Sequence, residues 1–134
     1  MKTKILVFLL LLIASIIQSY WSMYQFLNYS NSYCSICLFI IDFLIVFIIF
    51  CMLLTIAFSA LNKVKNKPIG IILKSVLVGF LWFYLNLSIF RDKESRWSTY
   101  LFGEELMYTL RFSLLPISIL VFVVLFIENK LTKL

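Results

Sequence analysis

The residues in this chain of 134 that could do chemistry are few, and they lie in two kinds of place. Cys34 and Cys37 form a C-x-x-C motif, the spacing at which two thiols can cycle between dithiol and disulfide. Asp42 and Arg111 each interrupt an otherwise apolar stretch, where a charge needs a partner. The chain has no His, which removes the commonest general base and metal ligand. We therefore expect no metal site, no cofactor and no catalytic centre.

The elements that must position these residues follow from an excess of apolar side chains. Hydrophobic residues make up 63% of the chain and charged residues 13%, against about 45–50% and about 25% in soluble domains. This composition excludes a soluble globular enzyme, a disordered chain and a disulfide-stapled mini-protein. About 20 apolar residues cross a bilayer as a helix, and four stretches are long enough, at about 5–24, 36–61, 69–90 and 106–127. The sequence predicts an all-α integral membrane protein, a single domain over residues 1–134 folded as a four-helix transmembrane bundle.

Lysine placement predicts the orientation of this bundle. Lysines lie at both ends of the chain and in the second connection, at positions 2, 4, 63, 65, 67, 130 and 133. The positive-inside rule puts those three segments in the cytoplasm. No residue pair after the first apolar stretch suits a signal peptidase, since Ile13 and Ile17 stand at the −3 positions of the candidate sites. We therefore expect a retained first helix, cytoplasmic termini and a bacterial plasma (inner) membrane.

The net charge of +6 has a membrane explanation. The lysines flank the apolar stretches without forming a basic motif, so we expect the lipid bilayer, with its anionic head groups, as a partner and no nucleic acid. Inside the third stretch, Lys74 is five residues past Ile69. Its long stem is expected to snorkel to the cytoplasmic boundary.

Asp42 and Arg111 are predicted to lie at matched depth. Asp42 is six residues beyond Ile36 and Arg111 five residues beyond Leu106, so at 1.5 Å per residue both lie about 8–9 Å below the outer boundary. Gln18 and Asn86 fall at a similar level on the other two helices. The predicted intramembrane polar cluster is made of Gln18, Asp42, Asn86 and Arg111. Three interpretations of this cluster stay open: a buried pair that fixes helix neighbours, a site open to the outer face, and a conducting or proton path.

The third connection, residues 91–105, is the predicted outer recognition loop. It mixes charges of both signs with aromatic side chains, and the residues singled out are Arg96, Trp97, Tyr100 and Glu104. We expect a short interfacial helix in this connection, ended by Gly103. A plain solvated connector is the other reading.

The C-x-x-C motif is expected just before the second helix, on the periplasmic side. Four spans with both ends inside and this motif in the first outer loop resemble the quinone-linked disulfide oxidoreductases of bacterial inner membranes. The resemblance implies thiol–disulfide exchange at Cys34 and Cys37. The chain departs from that family because the 91–105 loop has no second cysteine pair and residues 38–42 lack the expected Arg. Cys51, deep in the second stretch, is expected to be a packing residue.

The favoured function is non-catalytic binding of a partner inside the bilayer by helix–helix contact. In its small size, four spans and short loops the chain is similar to the immunity proteins that act against pore-forming bacteriocins. The expected partner is therefore another membrane protein or a membrane-inserted toxin. No motif carries this similarity, which is one of architecture. The alternatives are an accessory subunit of a membrane complex and a thiol–disulfide oxidoreductase using Cys34 and Cys37.

Overall fold

A computed structural model of the chain contains four α-helices and describes residues 2–27, 35–94 and 101–132. These helices are α1 (Lys2–Leu27), α2 (Ser35–Leu61), α3 (Lys67–Glu94) and α4 (Phe102–Leu131). All four are long and apolar enough to cross a membrane. The all-α class and the number of spanning-length helices are thereby confirmed.

The third connection is shorter than predicted. Helix α3 continues to Glu94 and α4 begins at Phe102, so both ends of the 91–105 segment are helical. The prediction that Gly103 ends a helix is wrong, since Gly103 lies in the first turn of α4. The backbone N–H of Leu101 donates to Oε2 of Glu104 at 3.1 Å, and a carboxylate there also suits the positive end of the helix dipole. Polar flanks therefore lengthen the helix, because backbone hydrogen bonding does not require apolar side chains.

The four helices form a bundle in which the two diagonal pairs, α1 with α3 and α2 with α4, are not equally close. The backbones of α1 and α3 each run close to every other helix, whereas no Cα atoms of α2 and α4 lie within 8 Å of each other in the described parts of the chain. We name the two ends of the bundle by the chain. The terminal end holds Lys2, the 62–66 connection and Leu131, and the loop end holds Leu27, Ser35, Glu94 and Phe102.

Ser15 joins three helices near the middle of the bundle. The indole Nε1 of Trp82 on α3 donates to Ser15 Oγ at 2.8 Å, and the same oxygen lies 3.6 Å from Sγ of Cys51 on α2. Cys51 is fully buried, in agreement with the packing role expected for it. This contact sets the register between helices, so residues at equal distances from it lie at the same level.

Apolar packing continues on both sides of this contact. Toward the terminal end, buried side chains from all four helices pack together, among them Leu11, Leu54, Val78 and Val124. Toward the loop end, a second buried cluster comes from α1, α2 and α3 and centres on Met23, Phe47 and Ile89. Among the described residues, α4 contributes none of the buried members of this second cluster.

Candidate functional site

An ion pair lies inside the terminal end of the bundle. Nζ of Lys74 on α3 donates to both carboxylate oxygens of Glu128 on α4, at 2.8 and 2.9 Å. It also donates to Oδ1 of Asn62, whose amide Nδ2 donates to Glu128 Oε1 at 3.3 Å. Lys74 is 5% exposed and Glu128 3%. All three N–H donors of the ammonium group are therefore used within the chain.

The expected snorkelling of Lys74 to the boundary is wrong. The fourth apolar stretch ends at 127, but α4 runs on to Leu131 and carries Glu128 in its last turns. The lysine stem does extend toward the terminal end, and there it meets Glu128 instead of solvent. The sequence does contain a signal for this pair. Lys74 and Glu128 carry opposite charges at similar depth, which is the same rule that predicts pairing of Asp42 with Arg111.

A cavity of about 780 Å³ opens beside this ion pair, between the 62–66 connection, α3 and α4. We call it the terminal cavity. Its wall combines charged and amide side chains with apolar ones. The lining residues are Thr3, Leu61, Asn62, Val64, Lys67, Gly70, Ile71, Lys74, Phe122, Leu125, Phe126, Glu128, Asn129 and Thr132.

A layer of uncharged polar side chains crosses the bundle toward the loop end. Its members are buried and come from α1, α3 and α4: Gln18, Ser19, Ser22, Asn86, Thr109 and Ser113. The register set by Ser15 and Trp82 places Ser19 and Asn86, each four residues further along parallel helices, at one level. Gly79 on α3 faces Ile117 on α4, because a Cβ atom built on Gly79 would lie 3.9 Å from Cγ2 of Ile117. In the antiparallel α4 this register brings Thr109 near the level of Asn86.

Hydrogen bonding in this layer is incomplete. On α1, Gln18 Nε2 donates to Ser22 Oγ at 2.9 Å and Ser19 Oγ donates to Gln18 Oε1 at 3.2 Å. Across the layer, the amide nitrogen and oxygen of Asn86 and the hydroxyl of Thr109 are buried and have no partner among the described residues. A buried polar group left without a partner costs about 1–3 kcal/mol. The layer therefore holds unused hydrogen-bonding capacity in a protected position.

The structure divides the predicted polar cluster. It buries Gln18 and Asn86, both 0% exposed, in the layer just described. It does not bring Arg111 to them, since that side chain is exposed. The side chain of Asp42 lies outside the described part of the chain, so its pairing with Arg111 stays a prediction. Non-additive effects of Asp42→Ala and Arg111→Ala on the free energy of unfolding would establish the pair.

Arg111 lies in a groove of about 470 Å³ between α1 and α4 at the loop end. We call it the loop-end groove. Its lining combines aromatic, polar and aliphatic residues, which are Tyr20, Trp21, Ser22, Tyr24, Gln25, Arg111, Phe112, Leu115 and Pro116. Helix α4 continues through Pro116, which has no N–H to offer the carbonyl of Phe112 one turn earlier. The groove thus combines a guanidinium group, aromatic rings and a backbone acceptor that lacks its usual intrahelical donor.

The remaining predicted site residues lie at the loop end or outside the description. Glu104 is exposed and accepts the backbone hydrogen bond that begins α4. Beside it, Arg91 Nε lies 2.8 Å from Glu105 Oε2, and its guanidinium lies 5.0 Å from the ring centre of Phe102. The predicted residues that lie outside the described residues are Cys34, Cys37, Arg96, Trp97 and Tyr100.

Fold and site together define an all-helical protein whose four apolar helices suggest a membrane protein, with polar groups concentrated at two levels. Comparison of the chain with models of known families, with curated proteins and with solved structures gives no significant match. The physical properties of the two levels are therefore the basis for a functional proposal.

Proposed function

We propose that this chain is a small polytopic protein of a bacterial inner membrane that acts without catalysis, by binding a helix of a partner in the bilayer. The loop-end groove carries the proposal. Trp, Tyr and Arg are the residues that dominate binding energy at protein interfaces, and Trp21, Tyr24 and Arg111 come together there on two adjacent helices. The specific function we favour is that of an immunity protein, which protects the cell that makes it against a membrane-acting toxin.

The exposure of the groove residues supports a role in recognition. Trp21 is 48% exposed and Tyr24 49% exposed, although Ser22 between them is buried at 3%. Phe112 on α4 is fixed from inside the bundle by an edge-to-face contact with Phe26, with ring centres 5.5 Å apart. Large side chains on a fixed base need little reorganisation to bind a partner.

Lysine placement supports the orientation in which the groove faces the periplasm. Among the described residues, the terminal end carries six exposed lysines, at positions 2, 4, 63, 65, 67 and 130. By the positive-inside rule this end is cytoplasmic. The groove then lies near the outer boundary, where a toxin that enters from outside meets the bundle first. Reporter fusions at the two ends of the chain would test this: opposite compartments for head and tail contradict the proposal.

Affinity purification in mild detergent tests the groove directly. Trp21→Ala removes an aromatic side chain from it, and Phe80→Ala is a matched control because Phe80 is an aromatic residue of α3, 67% exposed, outside all the cavities described above. The intact chain is expected to retain a membrane protein or membrane-inserted peptide. Trp21→Ala should weaken retention at least about 30-fold, the size of an interface hot spot, and Phe80→Ala should leave it unchanged.

Equal retention by both variants would contradict a partner in the loop-end groove. Capture of a second copy of this chain alone would contradict a separate partner. A large, stable assembly around the intact chain would favour the accessory-subunit alternative instead.

Protection of cells tests the immunity form of the proposal. Where a gene for a secreted membrane-acting toxin lies beside the gene for this chain, cells that make the intact chain or Phe80→Ala should survive that toxin. Cells that make Trp21→Ala should die. Equal survival of cells with all three versions, or death of cells with all three, contradicts an immunity role that acts through the groove.

Thiol–disulfide exchange is separated from binding by one variant. Replacing Cys34 and Cys37 together with Ser is expected to leave partner retention unchanged. Loss of activity toward a reduced or oxidised protein substrate in this variant, with the groove variants intact, would favour the oxidoreductase alternative over the binding protein.

A further inference from the structure

We propose that the terminal cavity is a binding site for the phosphate head group of one anionic phospholipid, with an acyl chain against α4. Three observations carry this: the charges that line the cavity, the division of its wall into polar and apolar parts, and the exposure of that apolar part toward the bilayer. The inference needs the membrane insertion and orientation of the proposed function, but it is independent of the loop-end groove.

The charges of the cavity favour an anion. Its lining contains two cations, Lys67 and Lys74, and one carboxylate, Glu128. Both oxygens of Glu128 are engaged by the Lys74 ammonium, which neutralises the carboxylate that would otherwise repel a phosphate. Lys67 lies at the first residue of α3, where the helix dipole adds positive potential. The net charge of the lining is thus +1, and its exposed cation is Lys67.

The wall of the cavity suits an amphiphile rather than a free ion. Asn129 and Thr132 are exposed polar residues at the end of α4, and Asn62 lies across from them. One to two turns deeper, Phe122 and Phe126 form an apolar wall on the same helix. A phosphate near Lys67 would place its ester-linked chain along these two rings, while glycerol hydroxyls of the head group meet the amides.

The apolar wall opens away from the bundle. Phe122 is 73% exposed and Phe126 55% exposed. Outward-facing rings on a spanning helix lie against lipid, so an acyl chain can leave the cavity into the bilayer along Phe122. The ammonium of Lys130 lies 4.7 Å from the ring centre of Phe126, at the head-group end of this wall. Basic pockets between transmembrane helices on the cytoplasmic side recognise anionic lipid head groups in this manner.

Binding of defined lipids to the purified full chain tests the site. The protein in mild detergent is titrated separately with phosphatidylglycerol, phosphatidylethanolamine and phosphatidylcholine, and bound lipid is counted by native mass spectrometry. We expect one strongly retained phosphatidylglycerol. Lys67→Gln should weaken this retention about fivefold, as for one lysine near an anionic lipid surface. Lys65→Gln removes the same charge from the 62–66 connection, outside the cavity, and should leave retention unchanged.

A second variant tests shape without changing charge. Asn129 is exposed at the cavity mouth, so Asn129→Trp should fold normally while filling the entrance, and it should abolish the retained phosphatidylglycerol. Thermal unfolding and size-exclusion profiles of all variants verify that each is folded. Glycerol phosphate, which is the head group without chains, should not displace the lipid.

Several outcomes would overturn the assignment. Equal retention of the three lipids would remove the preference for an anion, and equal loss in Lys65→Gln and Lys67→Gln would reduce it to a general charge effect. Undiminished retention in Asn129→Trp would place the lipid elsewhere. Displacement by glycerol phosphate would identify a soluble phosphate compound as the ligand. Because partner retention depends on Trp21 and lipid retention on Lys67, the two proposals can fail separately.

Discussion

The two ends of the bundle solve the problem of polar groups among apolar helices in opposite ways. At the terminal end, Lys74 and Glu128 are charged, buried and fully bonded to each other and to Asn62. At the loop end, the layer around Asn86 and Thr109 is uncharged, and part of it has no partner within the described chain. The groups that are costlier to bury are satisfied internally, so the terminal end fixes helix positions, whereas the loop end retains unused hydrogen-bond donors and acceptors.

Breaking the buried ion pair should produce the largest effect. Lys74→Met leaves the carboxylate of Glu128 buried without its counter-ion, and we expect a loss of about 3–5 kcal/mol in the free energy of unfolding. The double variant Lys74→Met with Glu128→Leu should recover most of that loss, because no charge remains to be buried. Unfolding in mixed micelles measures both. A double variant no more stable than Lys74→Met would show that the pair is not what fixes α3 against α4.

Removing the unbonded amide at the loop end should have the opposite sign. Asn86→Leu replaces a buried polar group that lacks partners with an apolar side chain of similar volume, and we expect a gain of about 1–3 kcal/mol. Gln18→Leu is the matched control, because Gln18 is bonded to Ser22 and Ser19; it should lower stability. The same unfolding measurement applies. A loss of stability in Asn86→Leu would mean that the amide has partners in the membrane, such as water or a second protein.

The smallest effect is expected from the ion pair on the surface of the loop end. Arg91 and Glu105 join α3 to α4 at 2.8 Å, but their side chains are 46% and 20% exposed. Arg91→Gln should cost less than about 1 kcal/mol, and salt should reduce the difference. Unfolding at low and high salt checks this. An effect as large as that of Lys74→Met would show that burial does not distinguish the two pairs.

The sequence contains the helices but not their arrangement. The length of the apolar runs predicts the number and approximate place of the spanning helices, since crossing a bilayer requires about 20 consecutive, mostly apolar residues. The helices end beyond the apolar runs, at Glu94 for α3 and Leu131 for α4, because backbone hydrogen bonding continues into the polar flanks. The separation of the α2 and α4 backbones in the described parts of the chain depends on packing around α1 and α3, which no periodicity in a uniformly apolar helix reveals.

The candidate sites were predictable to the extent that depth alone determines them. Depth arithmetic singles out Gln18 and Asn86, and the structure buries both. Arg111 was assigned to the same cluster by depth, but the rotation of α4 about its axis turns that side chain outward. Lys74 and Glu128 do not pair in the sequence-based prediction because Glu128 lies one residue beyond the predicted fourth stretch. Depth can be read from a sequence, whereas helix rotation has to be observed.

The short link between α2 and α3 has a mechanical consequence. Residues 62–66 reach about 17 Å even when fully extended, so the two helices are tethered at the terminal end. Their mutual contact is sparse compared with the contacts that each makes with α1. Any separation of α2 from α3 must therefore increase with distance from this tether. It is greatest at the loop end, where α2 begins at Ser35 and α3 ends at Glu94.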